Sequence, residues 1–558
     1  MLLPLLVTAS IALATYLYTT LRHKRFNQYG SIPQLPPSLL WGHLKAIDEY
    51  MRHGPTDRHT DEAFREMHEK LGRPPLFLVD FRPITLPVLL VTNHEIAEQV
   101  AKASARFPTS APKSSLKYLE HLIGSNSILS SGDEDWKALR KRFSPGFAPQ
   151  HLMTLLPCIL DKIPPFMAYL DSYADTQESF AFVPLVTNLT FDIIGSVVMD
   201  ADLEAQHLDL SRQGELVRLF SELLAAYTDD KADIPWWLTP KTELKRYRLG
   251  KRIDALIKDI VRQKFAEQRN DSKQKDNSSR SVLALSLRDA EVLSPELLNV
   301  TCDQLKTFLL AGHDTTSLTI SWVCYELSLH PHALSSVRAE LDTLLGPDAS
   351  PAAICSRLLS PEGPELVQKM TYIAAVIKEV LRLHPPAATA RTTLPGTGFT
   401  VRAPSGEEYC LDGLIVYNCE AIMHRDPDVY GDNAETFVPE RWLGGDSGSK
   451  IPASAWRPFE RGPRNCIGQE FANIEARVII AHIARRYDFT KVGLGAILRD
   501  GEGRPIMDDD TPSGGSSGGG RYKLTAPLYK TRQVTAKPVD GMKVKVTRVG
   551  QDKNSYSD

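Results

Sequence analysis

Near its C-terminus the chain reads Phe459-Glu460-Arg461-Gly462-Pro463-Arg464-Asn465-Cys466-Ile467-Gly468. This run places one cysteine in a turn that is flanked by glycines and an arginine. Metals are ligated by the thiolate rather than the thiol, so such a site must favour the anion. Backbone N–H groups in a turn can point at the sulfur and stabilise its charge. We therefore interpret Cys466 as a thiolate ligand to a haem iron. The alternative is an ordinary cysteine in a polar turn.

Each residue around this cysteine has a physical reason to be there. Gly462 can adopt positive φ without a Cβ penalty and so shape the turn. Gly468 leaves room where a following helix would lie against a flat macrocycle. Phe459 can pack on the sulfur side and exclude water. Arg464 can reach a haem propionate as a charge-assisted pair.

The bulk composition limits the class of protein. The chain has 558 residues, of which 42% are hydrophobic and 24% charged, as expected of a globular protein. Its net charge of −3 gives no indication of a nucleic-acid partner. Seven cysteines is an odd number, and no two of them form a Cys-x-x-Cys pair, so a zinc site or a disulfide framework is not indicated. A reducing compartment fits best.

The N-terminus is apolar. Residues 2–21 carry no charge, and Arg22-His23-Lys24-Arg25 follows them. About 20 apolar residues cross a bilayer, and cationic residues after the span place the rest of the chain in the cytoplasm. We predict a membrane anchor over 1–25 and a haem-binding catalytic domain over 26–558, separated by a stiff proline-rich spacer over 32–37. The alternative, a cleaved signal peptide, normally carries its charges before the apolar run.

The central part of the chain predicts one long helix. Ser294 is a suitable N-cap, and Pro295 follows it at the first helical position. The pattern continues to about Leu329 and stops before Pro331. A helix of this length spans roughly 50 Å at 1.5 Å per residue and should be buried along much of its length.

The other elements complete a mainly α fold with small β-sheets (α+β). We predict a strand over 83–92, helical structure over 133–269, helices over 333–345 and 365–383, short strands up to 442, a helix from just after 466 to 487, a strand over 543–546, and loops over 271–280 and 513–520.

The run Ala311-Gly312-His313-Asp314-Thr315-Thr316 lies midway along the long helix. Glycine inside a helix costs about 1 kcal/mol relative to alanine, and threonine hydroxyls can bond back to carbonyls and bend the helix. The run therefore predicts a locally weakened helix with a groove, where Asp314 and Thr315 offer a proton route to bound oxygen. The alternative is a helix kink with ordinary polar residues.

Two further motifs contain arginine. Glu379 and Arg382 are three residues apart on one helix face in apolar surroundings, and Arg441 is a candidate third partner. Since buried charges must be paired, we interpret this trio as structural.

Trp136 and Arg140 place two hydrogen-bond donors one helical turn apart, well suited to an anionic propionate. An amphipathic surface helix is the alternative. Arg391 is a further propionate candidate, or else an ordinary arginine.

Together and in this order, these motifs resemble the cytochrome P-450 superfamily of haem-thiolate monooxygenases. The resemblance runs by motif from Trp136 to Gly468, and by length and anchor over the whole chain. It implies a triangular, mostly α-helical body in which haem b lies between the long helix and the cysteine loop. It also implies the following roles: iron ligand, Cys466; acid–alcohol pair, Asp314 and Thr315; propionate binding, Trp136, Arg140, Arg391 and Arg464.

The implied reaction inserts one oxygen atom from O₂ into a lipophilic small molecule. Within the family, the chain is similar to filamentous-fungal members that serve secondary-metabolite biosynthesis. Electrons would come from NADPH through a separate haemoprotein reductase, because the sequence carries no P-loop or G-x-G-x-x-G fingerprint. The implied location is the endoplasmic reticulum membrane, crossed once, with the catalytic domain in the cytosol. Basic residues that could meet the reductase are Lys141, Arg142, Arg457 and Arg461, and expected pocket residues on the long helix are Leu309, Ala311, Gly312, His313 and Thr316.

Two other functions are consistent with a haem fold. One is an isomerase or dehydratase of the same fold that uses no external electrons, and the other is a non-catalytic haem-binding sensor. Such rearranging enzymes often lack the acid–alcohol pair, and a sensor needs no proton route. The presence of Asp314 and Thr315 therefore favours oxygen activation.

Overall fold

The computed structural model describes residues 2–114, 116–228, 238–271, 280–444, 451–508, 520–531 and 533–550. Apart from their end residues, the predicted loops over 271–280 and 513–520 lie outside this part of the chain. The chain divides into two compact units. The first unit comprises Met1–Ser115, Ala388–Val429 and Pro452–Asn465, and the second comprises Leu116–Ala387, Tyr430–Ile451 and Cys466–Asp558. The division into an anchor over 1–25 and a catalytic domain over 26–558 stays a prediction.

Helices dominate the structure, as predicted. They are α1 Leu2–Arg22, α2 Leu44–Met51, α3 Thr60–Lys70, α4 His94–Ala101, α5 Glu120–Ile123, α6 Asp133–Phe143, α7 Pro149–Thr154, α8 Leu156–Asp161, α9 Ile163–Thr176, α10 Phe182–Met199, α11 Glu215–Thr228, α12 Pro240–Asp271, α13 Val282–Leu287, α14 Pro295–Leu329, α15 Pro331–Leu345, α16 Pro351–Leu359, α17 Gly363–Lys369, α18 Thr371–Leu383, α19 Glu420–Met423, α20 Pro427–Tyr430 and α21 Gln469–Arg486.

The strands are short. They are β1 Leu76–Val79, β2 Val88–Val91, β3 Phe180–Ala181, β4 Thr389–Thr392, β5 Thr400–Arg402, β6 Glu408–Cys410, β7 Ile415–Asn418, β8 Tyr487–Lys491, β9 Lys530–Thr531, β10 Lys537–Pro538 and β11 Lys543–Arg548. The first unit contains the sheet β1-β2-β7-β4, in which β2 and β7 are parallel, and the hairpin β5-β6. The second unit contains β3-β11-β8 and β10-β9, both antiparallel.

The core of the first unit forms on its larger sheet. β1 (LFLV) and β2 (VLLV) are continuous apolar runs, which suits strands covered on both faces. Ile32 is buried in the same cluster, and the carbonyl of Pro33 accepts a hydrogen bond from Leu78 N at 2.8 Å. The proline-rich segment therefore belongs to the folded body, and the prediction that it forms a spacer was wrong.

The long helix α14 matches its predicted bounds. Ser294 Oγ accepts a hydrogen bond from Leu297 N at 3.1 Å, and the helix ends at Leu329, before Pro331. Most of its 35 residues are buried. Gly312 has a packing reason, because a Cβ there would lie 2.7 Å from the side chain of Ile194 on α10. The glycine allows two helices to approach closely, and α14 runs unbroken through it.

Other sequence predictions were wrong in detail. Only Val88–Val91 of the strand expected over 83–92 is a strand, and α16 was not predicted. The single helix expected over 365–383 is two helices that break at Met370. The break is stabilised by Glu340 of α15, whose carboxylate accepts hydrogen bonds from Tyr372 N at 2.7 Å and Ile373 N at 3.1 Å. A side chain some thirty residues earlier thus caps α18.

The trio of Glu379, Arg382 and Arg441 forms one buried cluster, as predicted. Arg382 donates to both carboxylate oxygens of Glu379, at 2.9 and 2.8 Å, and Arg441 Nε donates to Oε1 at 3.0 Å. Trp442 Nε1 and Val438 N complete the shell, each at 2.9 Å. Because every lone pair is used, the buried charges are compensated, and the cluster ties the segment after Tyr430 to α18.

Among the described residues, two helices have the length and hydropathy needed to cross a membrane. Phe182–Met199 is 78% buried over its apolar window and is a core helix of the second unit. Leu3–Asn27, made of α1 and a π-helical turn over His23–Asn27, is 0% buried over its window. This N-terminal helix is therefore the one suited to membrane anchoring.

Candidate functional site

Cys466 opens the last stretch of the second unit, two residues before the N-cap of α21, and its side chain is exposed. All seven cysteines, each in the described part of the chain, are outside disulfides. Gly468, the N-cap, has φ −89°, which any residue can adopt. A Cβ at Gly468 would meet only Cys466 Sγ, at 3.9 Å. Neither backbone conformation nor packing within the chain explains this glycine, whereas a flat group lying beside the sulfur does.

Helix α6 contributes Trp136 and Arg140 to the same unit. Three residues on one face of this helix, Trp136, Leu139 and Phe143, are buried. Arg140 is half-buried, and burial lowers the pKa of its guanidinium while the negative charge of Cys466 acts to raise it. The structure therefore places the guanidinium of Arg140 within electrostatic reach of the sulfur, which the sequence spacing could not establish.

The turn before the cysteine is built in the first unit. Gly462 has φ +77°, and a Cβ there would lie 2.2 Å from the carbonyl oxygen of Ala101, so glycine is required twice over. Beneath the turn, Arg457 is buried and donates to Glu460 at 2.7 Å and to Glu98 at 2.8 Å. Phe459 is half-buried, with its ring 6.0 Å from that of Trp456, and its predicted role as a cover for the sulfur stays a prediction.

Arg391, on β4, has no solvent exposure. Its Nη1 donates to Ser110 Oγ at 3.1 Å and to the carbonyl of Ala111 at 3.4 Å. Its Nε and Nη2 have no hydrogen-bond partner among the described residues. Burial lowers the pKa of Arg391 to about 10. The negative charge of Glu460 opposes this change, and the nearby positive charge of Arg464, itself buried, acts in the same direction as burial.

Arg391, a buried cation with two unused donors, lies beside a second buried cation, Arg464, and together they suit an anion. A buried donor without a partner costs about 1–3 kcal/mol, and more when it is charged. A carboxylate-bearing cofactor would relieve that cost. Within the described ranges, no group of three or more His, Cys, Asp or Glu residues could hold a metal ion. A metal bound by Cys466 alone must bring its other ligands with it, as the iron of a porphyrin does, so these residues fit a haem.

Asp314 and Thr315 face different surroundings. Asp314 is buried, with Lys537 Nζ 2.6 Å from its Oδ1 and the Thr535 hydroxyl donating to its Oδ2. Burial acts to raise the pKa of Asp314, but the positive charge of Lys537 leads the opposing contributions and the net pKa lies below its usual value. Thr315 lies with Ala311 on a less buried face of α14, and its hydroxyl donates to the Ala311 carbonyl at 2.8 Å.

The partners of Asp314 could not be found from the sequence. Thr535 is 221 residues away along the chain, and neither Thr535 nor Lys537 belongs to a recognisable motif. They reach α14 only because strands β9 and β10 pair in the second unit.

Several residues that we predicted to meet a reductase or to line a pocket are buried or half-buried instead. Arg457 is buried in its ion pairs, and Arg142 is half-buried, donating to Ser286 O and Thr301 Oγ1 at 2.9 Å each, so neither is available for a reductase. Lys141 is exposed.

Of the expected pocket residues, three are core residues with almost no accessible surface, whereas Ala311 and Gly312 are on the less buried face. The three core residues are Leu309, His313 and Thr316.

Comparisons with known proteins show the family to which the chain belongs. The sequence model of the family described as "Cytochrome P450" matches residues 33–498. The chain therefore belongs to the cytochrome P450 family of haem-iron monooxygenases. It is 32% identical over 517 residues to cytochrome P450 monooxygenase acrF of Aspergillus aculeatus, covering 88% of this chain and 97% of that one. It is 28% identical over 507 residues to cytochrome P450 monooxygenase polC of Polytolypa hystricis, covering 86% of each.

A further relative is named as a fusion of a cytochrome P450 and its reductase. The bifunctional cytochrome P450/NADPH–P450 reductase of Gibberella moniliformis is 26% identical over 428 residues, which cover 75% of this chain and 35% of the relative.

Proposed function

We propose that this protein is a membrane-anchored monooxygenase that holds haem b and inserts one oxygen atom from O₂ into a lipophilic small molecule. The observation that carries the proposal is the arrangement on α14. Thr315 presents a hydroxyl on the less buried face, and the neighbouring Asp314 is joined to Lys537, whose side chain is 19% exposed.

The cofactor would be held by one residue that supplies a negative charge and by several that supply positive charge. Cys466 would supply the thiolate, and Gly468 the open surface beside it. Arg391, Arg464 and Arg140 would neutralise the propionates, with the indole N–H of Trp136 as a further donor. When bound, the haem supplies the oxygen-activating redox chemistry.

The chain's own residues would manage the protons. Asp314 is ionised at neutral pH, since its pKa lies below the usual value. Lys537 Nζ lies 2.6 Å from Asp314 Oδ1, and the Lys537 side chain is partly exposed to solvent. The pair thus connects water to the middle of α14, where the Thr315 hydroxyl, which donates its proton to the Ala311 carbonyl, can accept a hydrogen bond from a group on the less buried face. This supports oxygen chemistry, which consumes protons, over a rearrangement, which does not.

The partner would be a separate NADPH–haemoprotein reductase in the same membrane. In the Gibberella relative, the two activities share one chain, of which the present chain covers 35%. Of the predicted basic residues, Lys141 is exposed and suited to meeting the reductase. Arg461 also keeps 36% of its side chain exposed, although its Nε donates to Glu98 at 3.1 Å. The N-terminal helix supports a single-pass location in the endoplasmic reticulum with the body in the cytosol.

The substrate would be an apolar product of fungal secondary metabolism. Ala311 offers an apolar surface on the face of α14 that carries Thr315, whereas Gly312 packs against Ile194 of α10. The fungal relatives from Aspergillus and Polytolypa support a fungal context.

The test is expression in microsomes with and without a cytochrome P450 reductase, followed by incubation of candidate apolar metabolites with NADPH under ¹⁸O₂. We expect a product that carries one ¹⁸O atom and forms only when both reductase and NADPH are present. Product formation without NADPH would instead identify the same-fold isomerase or dehydratase. A haem-loaded protein that consumes no NADPH and forms no product with any candidate would point to the sensor.

A further inference from the structure

Glu460 adopts a backbone conformation that normally belongs to glycine. Its φ is +54°, in the left-handed region, where the Cβ of any other residue comes too close to the following carbonyl oxygen. Gly462, two residues later, also has a positive φ, of +77°, and there the chain does carry glycine. Glycine at position 460 would adopt the same angle without strain, so the backbone alone gives no reason for a glutamate. The reason must lie in the side chain.

The side chain of Glu460 is only 7% exposed, and two residues hold its carboxylate. Arg457, whose side chain has no exposed surface, donates to Glu460 Oε1 from Nε at 2.7 Å and from Nη2 at 2.5 Å. Asn418, at the end of β7, donates from Nδ2 to both carboxylate oxygens at 3.3 Å. The backbone N–H of Glu460 also donates to the Arg457 carbonyl, at 2.7 Å. Bonds through both backbone and side chain therefore keep Glu460 in its strained conformation.

Helix α4 fixes the turn at two places. Through Arg457, whose Nη1 donates to Glu98 Oε2 at 2.8 Å, the helix is tied to Glu460. At its end, the carbonyl oxygen of Ala101 leaves no space for a Cβ at Gly462. The two positions with positive φ are thus the two that α4 holds.

The position of Cys466 depends on this turn. Only three residues separate Gly462 from Cys466, and the backbone N–H of Asn465 donates to the Gly462 carbonyl at 3.2 Å. This bond closes a tight turn that has little freedom of its own. The direction in which the chain leaves Glu460 therefore decides where the sulfur lies.

We propose that Glu460 is a positioning residue for the thiolate ligand, because its carboxylate, bonded to Arg457 and Asn418, keeps the turn in the one conformation that places Cys466. This role rests on the proposed function, since it concerns the ligand of that cofactor. Strained backbone persists only where the surrounding structure over-determines it, and the buried ion pair with Arg457 does so here. Glu460 acts through the backbone of residues 461–466 rather than by contact with the iron.

The test uses the haem-loaded full-length protein in its reduced carbon monoxide complex. A strongly red-shifted Soret band reports thiolate on the iron, and an unshifted band reports its loss. For each protein, urea is set a fixed interval below its own midpoint of unfolding, so that a loss of overall stability does not change the ratio of the bands. The interval is the one at which the wild type shows both bands.

Glu460→Gln keeps the length of the side chain but removes the charge that Arg457 pairs with. We expect the ratio of shifted to unshifted band to fall about 10- to 100-fold, as the loss of one charged hydrogen bond changes an equilibrium constant. Glu460→Gly relieves the strained φ and would raise the ratio if glutamate were merely tolerated in the turn. We expect the ratio to fall instead, at least as far as in Glu460→Gln, because the bonds to Arg457 and Asn418 are lost.

Asp80→Asn is the matched control. Asp80 is a buried carboxylate of the same unit, and its partners are Arg25 at 2.6 Å and Arg82 at 2.8 Å rather than residues of the turn. The substitution should lower the midpoint of unfolding, followed by circular dichroism, and leave the ratio of the bands unchanged. A fall as large as in Glu460→Gln would overturn the proposal, because any buried carboxylate of the unit would then serve.

The remaining outcomes separate this role from the proposed function. Equal ratios in the wild type, Glu460→Gln and Glu460→Gly would overturn the role of Glu460 and leave the proposed function intact. A wild type without the shifted band would overturn both. Should Glu460→Gln fail to bind haem, Asn418→Ala removes only the second partner of the carboxylate and should lower the ratio about 2- to 10-fold. An unchanged ratio in that variant would overturn the proposal.

Discussion

Lys537 Nζ lies 2.6 Å from Asp314 Oδ1, which links the centre of α14 to strand β10. Lys537 lies beyond residue 498, where the match to the family's sequence model ends. The C-terminal segment therefore supplies the counter-charge for a carboxylate that the rest of the second unit buries. A buried ion needs such a partner, because desolvation otherwise outweighs whatever the charge contributes.

Replacing Lys537 should show how much the ion pair with Asp314 contributes to the free energy of unfolding. Lys537→Met leaves Asp314 buried without its counter-charge, and we expect a loss of about 3–5 kcal/mol in the free energy of unfolding. Chemical denaturation followed by circular dichroism measures it. The double variant Lys537→Met/Asp314→Asn removes both charges and should regain most of the loss. If the double variant is as unstable as the single one, the loss comes from packing rather than charge.

The same pair predicts an acid dependence of stability. The folded-state pKa of Asp314 lies below the ordinary value of 3.8. The ionised carboxylate therefore stabilises the fold fully at neutral pH, and this contribution disappears as pH falls from about the ordinary value through the lower folded-state pKa. Unfolding measured over an acid pH series should show a shallower decline for Asp314→Asn than for the wild type. Parallel curves would contradict the assignment.

Cys466→Ser should abolish the strongly red-shifted Soret band of the reduced carbon monoxide complex, because serine cannot supply a thiolate. Product formation should be lost with it. Cys410→Ser is the matched control, since Cys410 is also exposed but lies on strand β6 of the first unit. The band should persist in the control. A band that survives in Cys466→Ser would remove this residue as the ligand.

Arg391→Met should affect the apo- and haem-loaded proteins in opposite directions. Without cofactor, the substitution removes a buried cation with unused donors and should stabilise the protein by about 1–3 kcal/mol. With haem, it removes a charge-assisted bond, and transfer of haem to apomyoglobin should be about 10- to 100-fold more favourable. Arg402→Met, at an exposed position on β5, should change neither quantity. An unchanged haem affinity in Arg391→Met would exclude it as a propionate partner.

Thr315→Ala should lower the product formed per NADPH, by up to about 100-fold if positioned proton transfer is its whole contribution, and peroxide release should rise correspondingly. Thr315→Ser keeps the hydroxyl and should retain most of the coupling. The measurement compares NADPH consumption, product and peroxide in one reaction. Equal coupling in Thr315→Ala and the wild type would take the Thr315 hydroxyl out of the proton route.

Local signals were sufficient for much of the fold and for the chemistry. The bounds of α14 follow from a cap at Ser294 and a proline at Pro331, which act within one helical turn. Glu379 and Arg382 are neighbours on any helix, so their pairing required no knowledge of the rest of the chain. The turn before Cys466 was predictable as well, because the positive φ of Gly462 depends on only a few adjacent residues.

Contacts between distant parts of the chain decided the rest. The helix break at Met370 depends on hydrogen bonds to Glu340. Glycine is needed at position 312 because the side chain of Ile194 packs there, and the counter-charge of Asp314 is Lys537. The burial of Arg457 and the pairing of Arg25 with Asp80, 55 residues further along the chain, are of the same kind. Such partners carry no local periodicity, and residue type alone cannot tell a buried, paired charge from a solvated one. Only the tertiary structure, by choosing which surfaces exclude water, determines where each charge is compensated.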